Sequence, residues 1–232
     1  LQKLKKQWMW IVLNKLSLKD LNGLSLIFGS IFSFIPFLIQ LVRNNRPEEG
    51  EHIFTFFANQ IILNGNVSIL NAVFSILGSA LISYGIFALF NTVKKNNVEV
   101  LMTFGLFLFL LSTVGFIIAW SQDFIIIWGD ANTASNQVMI EFSLVFGFGI
   151  TYWIGLSTYI FSLSRLKFLN TNFLNALSII SLINVILIVY TLFTLDPYSA
   201  SSINLLYTGL MIGNIIFYIF CVMAGIKTLP TK

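Results

Sequence analysis

Apolar runs of bilayer length return along the whole chain at short intervals, and few folds can accommodate that pattern. Six of them, at residues 21–42, 67–90, 100–120, 137–161, 173–195 and 204–226, meet the roughly 20 residues an α-helix needs to cross a hydrocarbon core. Inside lipid every backbone N–H and C=O must find its partner within the protein, so runs this long are expected as helices. Charged residues make up only 9% of the chain, against roughly 25% in a soluble domain. The expected fold is all-α, a polytopic integral membrane bundle of six transmembrane helices occupying residues 21–227 in a lipid bilayer.

Basic residues predict the orientation. Lys3, Lys5, Lys6, Lys15 and Lys19 crowd residues 1–20, and Leu1, Leu4, Trp8 and Ile11 share one helical face there. That segment is expected as a basic amphipathic helix on the inner leaflet, or else as a basic tail that serves only to orient the chain. With this end inside, Lys94, Lys95, Arg165, Lys167, Lys227 and Lys232 fall inside too, which makes eleven of the thirteen basic residues. Only Arg43 and Arg46 fall outside. Reversal would invert the ratio, so the reading is a multi-pass cell-membrane protein with both termini cytoplasmic, residues 228–232 forming the tail. No short apolar core with a small-residue cleavage site precedes the first run, so a cleavable signal is not expected.

Between the first two runs lies a dozen-residue apolar piece, 52–63, closed by the turn signal Asn64-Gly65. It is too short to span and is expected to lie in the outer interface or to re-enter. Pro36 is expected to kink the first span. The third span is nearly all apolar and is expected to face lipid over much of its surface. Residues 121–136 are expected as a loop.

Two spans carry small-residue tracts. Ser143, Gly147, Thr151 and Gly155 recur every four residues in the fourth, and Asn71, Ser75, Ser79 and Ser83 do so in the second. Small stripes let helix backbones approach closely where lipid offers no hydrophobic drive, and the two are expected to pack together. Beside the first stripe lie Glu141, Val145, Phe148, Tyr152 and Tyr159. A short match, Ser25–Gly29 with Ser143–Gly147, would relate spans one and four if the protein were a three-plus-three inverted repeat.

Catalytic and cofactor chemistry find little support. His52 and Cys221 are the single residues of their types, and the topology puts them at opposite membrane faces, roughly 20 Å or more apart. No motif marks a Ser-His site. Haem and copper sites need more imidazoles than one chain supplies, so no cofactor and no metal site are expected. Glu48, Glu49, Glu51, Asp123, Asp130, Glu141 and Asp196 all map to the outer side, where a hard cation would be the natural guest. Acids outside are also what basic residues inside leave behind. Glu141 is open to two readings, a proton or cation path through the membrane and an acid placed near a helix N-terminus within reach of headgroups. Asn184 and Asn214 are expected as interhelical hydrogen-bond partners. Asn66-Val67-Ser68 fits the glycosylation pattern but abuts a span. The net charge of +4 sits in short loops, and nothing marks a phosphate loop or a nucleic-acid partner.

Two functions remain. One is a non-enzymatic membrane subunit or scaffold that packs against other membrane proteins through its small-residue faces. The alternative is a small-solute transporter or solute-binding component. Its pocket would open outward, be lined by Glu141, Tyr152, Trp153, Tyr207, Asn214 and Tyr218, and be lidded by residues 48–63. A filled interior would favour the first and a cavity between spans four and six the second.

Overall fold

The computed structural model describes residues 17–43, 47–93 and 100–230; the basic segment 1–16, Arg46, Lys94, Lys95 and Lys232 lie outside the described residues. Seven α-helices follow one another: α1 Leu18–Arg43, α2 Ile53–Asn64, α3 Asn66–Val93, α4 Val100–Trp128, α5 Ala131–Arg165, α6 Thr171–Thr194 and α7 Ser201–Thr228. Five of them, α3 to α7, are long and apolar enough to cross a membrane. The chain is therefore a multi-pass helical membrane protein. α1 is 26 residues long and runs unbroken through Pro36. α2, at 12 residues, is too short to span.

The six longer helices close into a ring in chain order. α1 packs on α3, α3 on α4, α4 on α5, α5 on α6, α6 on α7, and α7 returns to α1. Neighbours run antiparallel. Asn22 meets Tyr84 while Phe32 stacks on Phe74, and Gly105 faces Gly155 while Gly115 faces Phe148. Such a ring is incompatible with the three-plus-three inverted repeat. A two-fold axis in the membrane plane reverses the sense of travel around the bundle, whereas here the chain circles in one sense throughout. The match of Ser25–Gly29 to Ser143–Gly147 is compositional.

Glycines set the closest seams. A Cβ on Gly155 would lie 2.6 Å from the Phe109 amide nitrogen, and one on Gly105 would lie 2.5 Å from Thr158 Oγ1. Gly29 and Gly78 join α1 to α3 in the same way, and Gly23 and Gly225 join α1 to α7. Hydroxyls add polar ties. Ser112 and Thr151 are 2.7 Å apart across α4–α5, Ser157 and Ser178 donate to each other's carbonyls across α5–α6 at 2.9 and 3.0 Å, and the Tyr159 hydroxyl donates to the Ile86 carbonyl of α3 at 3.2 Å. In an apolar surrounding each such pair satisfies groups that would otherwise be stranded.

The expected loop at 121–136 is mostly helix. α4 continues to Trp128 and α5 begins at Ala131, so the turn is Gly129-Asp130 alone. Asp130 caps α5 by accepting the Asn132 amide at 2.9 Å, and Ile125 to Ile127 carry apolar helix beyond the polar triplet Ser121, Gln122 and Asp123. At its other end α5 closes on Lys167, which adopts φ 51° so that the Phe168 N–H reaches the Leu163 carbonyl at 3.2 Å. The Lys227 ammonium of α7 donates to the Phe168 carbonyl and lies 4.8 Å from the centre of its ring. Apart from Asp20 at the start of α1, charge separates along the bundle. Arg165, Lys167 and Lys227 lie at one end, and Glu48, Glu49, Glu51, Asp130 and Asp196 at the other.

Candidate functional site

Phe54 and Ala58 of α2 pack with Ile126 of α4 and with Ala134 and Val138 of α5, so the short helix lies over the acidic end of the ring. The Ile53 N–H donates to the Pro197 carbonyl at 2.8 Å and the Gly50 N–H to that of Tyr198 at 3.0 Å, which ties the segment before α2 to the α6–α7 turn. A column of rings descends from it. Phe57 stacks on Phe142 at 5.5 Å and Phe142 meets Phe146 edge-on at 5.9 Å.

Beneath Phe146 the ring helices border a partly open cavity of about 150 Å³ to which all six contribute. α1 supplies Ser33; α3 supplies Ser79 and Ile82; α6 supplies Ile188. α4 gives Phe109, Thr113, Phe116 and Trp120, three and four residues apart on one face. α5 gives Val145, Phe146, Gly149, Tyr152 and Trp153, and α7 gives Leu210, Asn214 and Tyr218. Tyr152 is the centre of the aromatic wall. Its ring lies 5.0 Å from Phe109, 5.1 Å from Phe116 and 5.3 Å from Trp153, the last edge-on. The polar side chains in the wall carry hydroxyls, one amide and the indole N–H groups of Trp120 and Trp153. No charged side chain lines it among the described residues.

Of the six residues expected around a pocket, Tyr152, Trp153, Asn214 and Tyr218 line this cavity, while Glu141 and Tyr207 lie one helical turn outward of it. Glu141 interacts electrostatically with Asp123 of α4 and with Tyr207 of α7. Tyr207 also meets Phe57 of α2 at 6.3 Å. Wall residues not singled out from sequence include Ser33, Phe109, Thr113, Phe116 and Trp120. α4 exposes Phe104, Phe107, Leu111, Val114 and Ile118, as expected of a lipid-facing span, yet its opposite face makes the most extensive helix contact in the bundle. Gly105, Ser112 and Ala119, seven residues apart, were the available signal for that buried seam.

The small-residue tract of α5 divides. Thr151 and Gly155 pack on α4, whereas Ser143 is exposed and a Cβ on Gly147 would meet nothing within 4 Å. A four-residue step on a helix of 3.6 residues per turn drifts by about 40°, so the ends of the tract face directions about 120° apart. The tract of α3 does not meet it. α3 lies between α1 and α4, Ser75 is half-buried, Ser79 turns to the cavity, and Asn71 Oδ1 and Ser83 Oγ are buried without a hydrogen-bond partner among the described residues. His52 sits at the start of α2 against Tyr198, and Cys221 is buried in the core. Among the described residues no three His, Cys, Asp or Glu side chains gather as a metal site would require.

Ring, roof and cavity define the class, a multi-pass helical membrane protein with a small aromatic chamber. No protein-family model, curated protein or solved structure matches the chain.

Proposed function

We propose that the protein is a six-span component of the cell membrane, with both termini cytoplasmic, that binds a small solute in its central chamber and serves as a transporter or solute-binding unit. The observation that carries this reading is the convergence of all six ring helices on one cavity, four of whose lining residues are Tyr152, Trp153, Asn214 and Tyr218. A bundle whose only task is to pack has no need for a void at the meeting point of its helices, because filled interiors are more stable. α1, at 26 residues, is long enough to be the sixth span, and the basic end of the bundle supports its assignment to the cytoplasmic side.

Size narrows the guest. An apolar cavity of this volume holds about one benzene-sized molecule, well below the several hundred Å³ of drug-sized pockets. Neither the Asn214 amide nor the Tyr152 hydroxyl bonds to another described residue, so both remain available to a solute.

Trp120 and Trp153 in the wall supply a direct test. Detergent-solubilised protein is titrated with neutral, cationic and anionic solutes of about six to eight heavy atoms while tryptophan emission is followed. A saturable change that disappears in Ser79→Leu, with thermal stability retained, is expected. No saturable change with any of them would sink the reading.

A second reading, a non-enzymatic subunit of a larger membrane complex, is favoured by the uncovered half of the α5 tract, Ser143 and Gly147, beside exposed Met139 and Ile140. Native mass determination from mild detergent separates the two: stoichiometric partner chains support the subunit.

A further inference from the structure

Resting on the solute-binding reading, we infer that the guest is a small organic cation, held by its charge against the aromatic wall and drawn in by the acid pair above it. The chamber and the layer between it and α2 are built from the same helix faces. Asp123 lies three residues beyond Trp120 on α4, Glu141 four before Val145 on α5, and Tyr207 three before Leu210 on α7, so each is one turn outward of a lining residue. Glu141 interacts with both Asp123 and Tyr207. Since α6 separates α5 from α7 in the ring, the reach from Glu141 to Tyr207 crosses the bundle interior, above the chamber.

Among the described side chains, the ionisable groups in this layer are acids and tyrosine, with no Lys or Arg. Every Lys and Arg side chain the structure describes, Arg165, Lys167 and Lys227, is at the opposite end. Two half-buried carboxyl groups that interact electrostatically, with no cation among those side chains, favour a guest that brings one. Below them, Phe116, Tyr152 and Trp153 line a space of about 150 Å³. Aromatic walls bind ammonium groups through the ring quadrupole, more strongly where water is excluded. An alkali or alkaline-earth ion is a poor fit, because it requires several oxygen ligands and this wall is mostly carbon. An anion would meet the carboxylates first.

Choline and its uncharged isostere 3,3-dimethylbutan-1-ol isolate the contribution of charge. Tryptophan emission of the detergent-solubilised full chain, titrated with each, is expected to show choline binding about tenfold tighter or more. The double variant Asp123→Asn, Glu141→Gln is expected to erase that preference while leaving the alcohol's affinity unchanged. Phe116→Leu, which keeps apolar volume and removes one ring, should weaken choline several-fold and the alcohol little. Equal binding of the two probes, or a preference that survives the double variant, overturns the cation assignment while the chamber reading stands. Binding of neither probe overturns it as well and counts against the chamber itself.

Discussion

Gly105 and Gly155 face each other across the α4–α5 seam so closely that a methyl group on Gly155 would lie 2.6 Å from the Phe109 amide nitrogen and 2.8 Å from the Gly105 carbonyl oxygen. Both neighbours are backbone, which cannot swing aside. Gly155→Leu is therefore expected to force the two helices apart and destabilise the bundle by about 1–3 kcal/mol. Gly147→Leu on the same helix should be tolerated, because nothing lies within 4 Å of its would-be Cβ. Thermal unfolding of the two variants in one detergent compares them directly; equal loss in both would contradict the seam.

Ser157 and Ser178 form a reciprocal pair, each hydroxyl donating to the other residue's carbonyl. The two hydroxyl oxygens also lie 2.9 Å apart, so removing either one takes away a contact the other shares, and the two changes should not add. A double-mutant cycle on Ser157→Ala and Ser178→Ala is expected to give a coupling of about 0.6 kcal/mol, the average for interhelical hydrogen bonds in membranes. A coupling near zero would mean that the pair does not hold α5 to α6.

Lys167 carries a side chain in the left-handed region, φ 51°, where glycine is the unstrained choice. Lys167→Gly should relieve about 1 kcal/mol of backbone strain, less the extra freedom glycine gains when unfolded. The expected result is a small rise in unfolding temperature, and a fall would show that the lysine makes a compensating contact.

The proposed orientation is open to cysteine labelling. Glu49→Cys is expected to react with a membrane-impermeant maleimide applied to the outer face of intact cells, and Lys167→Cys only after permeabilisation. Cys221 is 0% exposed and serves as an internal unreactive control. Labelling of position 167 from outside would reverse the assignment.

Hydropathy made the helices legible but not their ends. Apolar content marked residues 173–195 to within two residues of α6, Thr171–Thr194. The same criterion stopped α4 at Trp120 because Ser121, Gln122 and Asp123 follow, although a helix crosses a polar triplet readily when an apolar run such as Ile125–Ile127 resumes beyond it. Tyr152, Trp153, Asn214 and Tyr218 were visible because aromatic side chains with a polar atom, and amides, are conspicuous in apolar runs. Ser33, Phe116 and Trp120 were not, since nothing in a Phe-rich sequence says which rings face inward. That depends on how the helices are ordered around the ring, which spacing along one helix does not encode.

The contact of Gly23 with Gly225 joins the earliest described helix to the last, and this fixes when the chamber comes into being during synthesis. A chain threaded into the membrane from its N-terminal end holds α1 with an unmatched face until α7 has entered. Until then the arc of helices stands open towards lipid, and acyl chains have free access to the space that Tyr152 and Trp153 border. The chamber is thus a product of α7 reaching α1, and none of the earlier helices completes it.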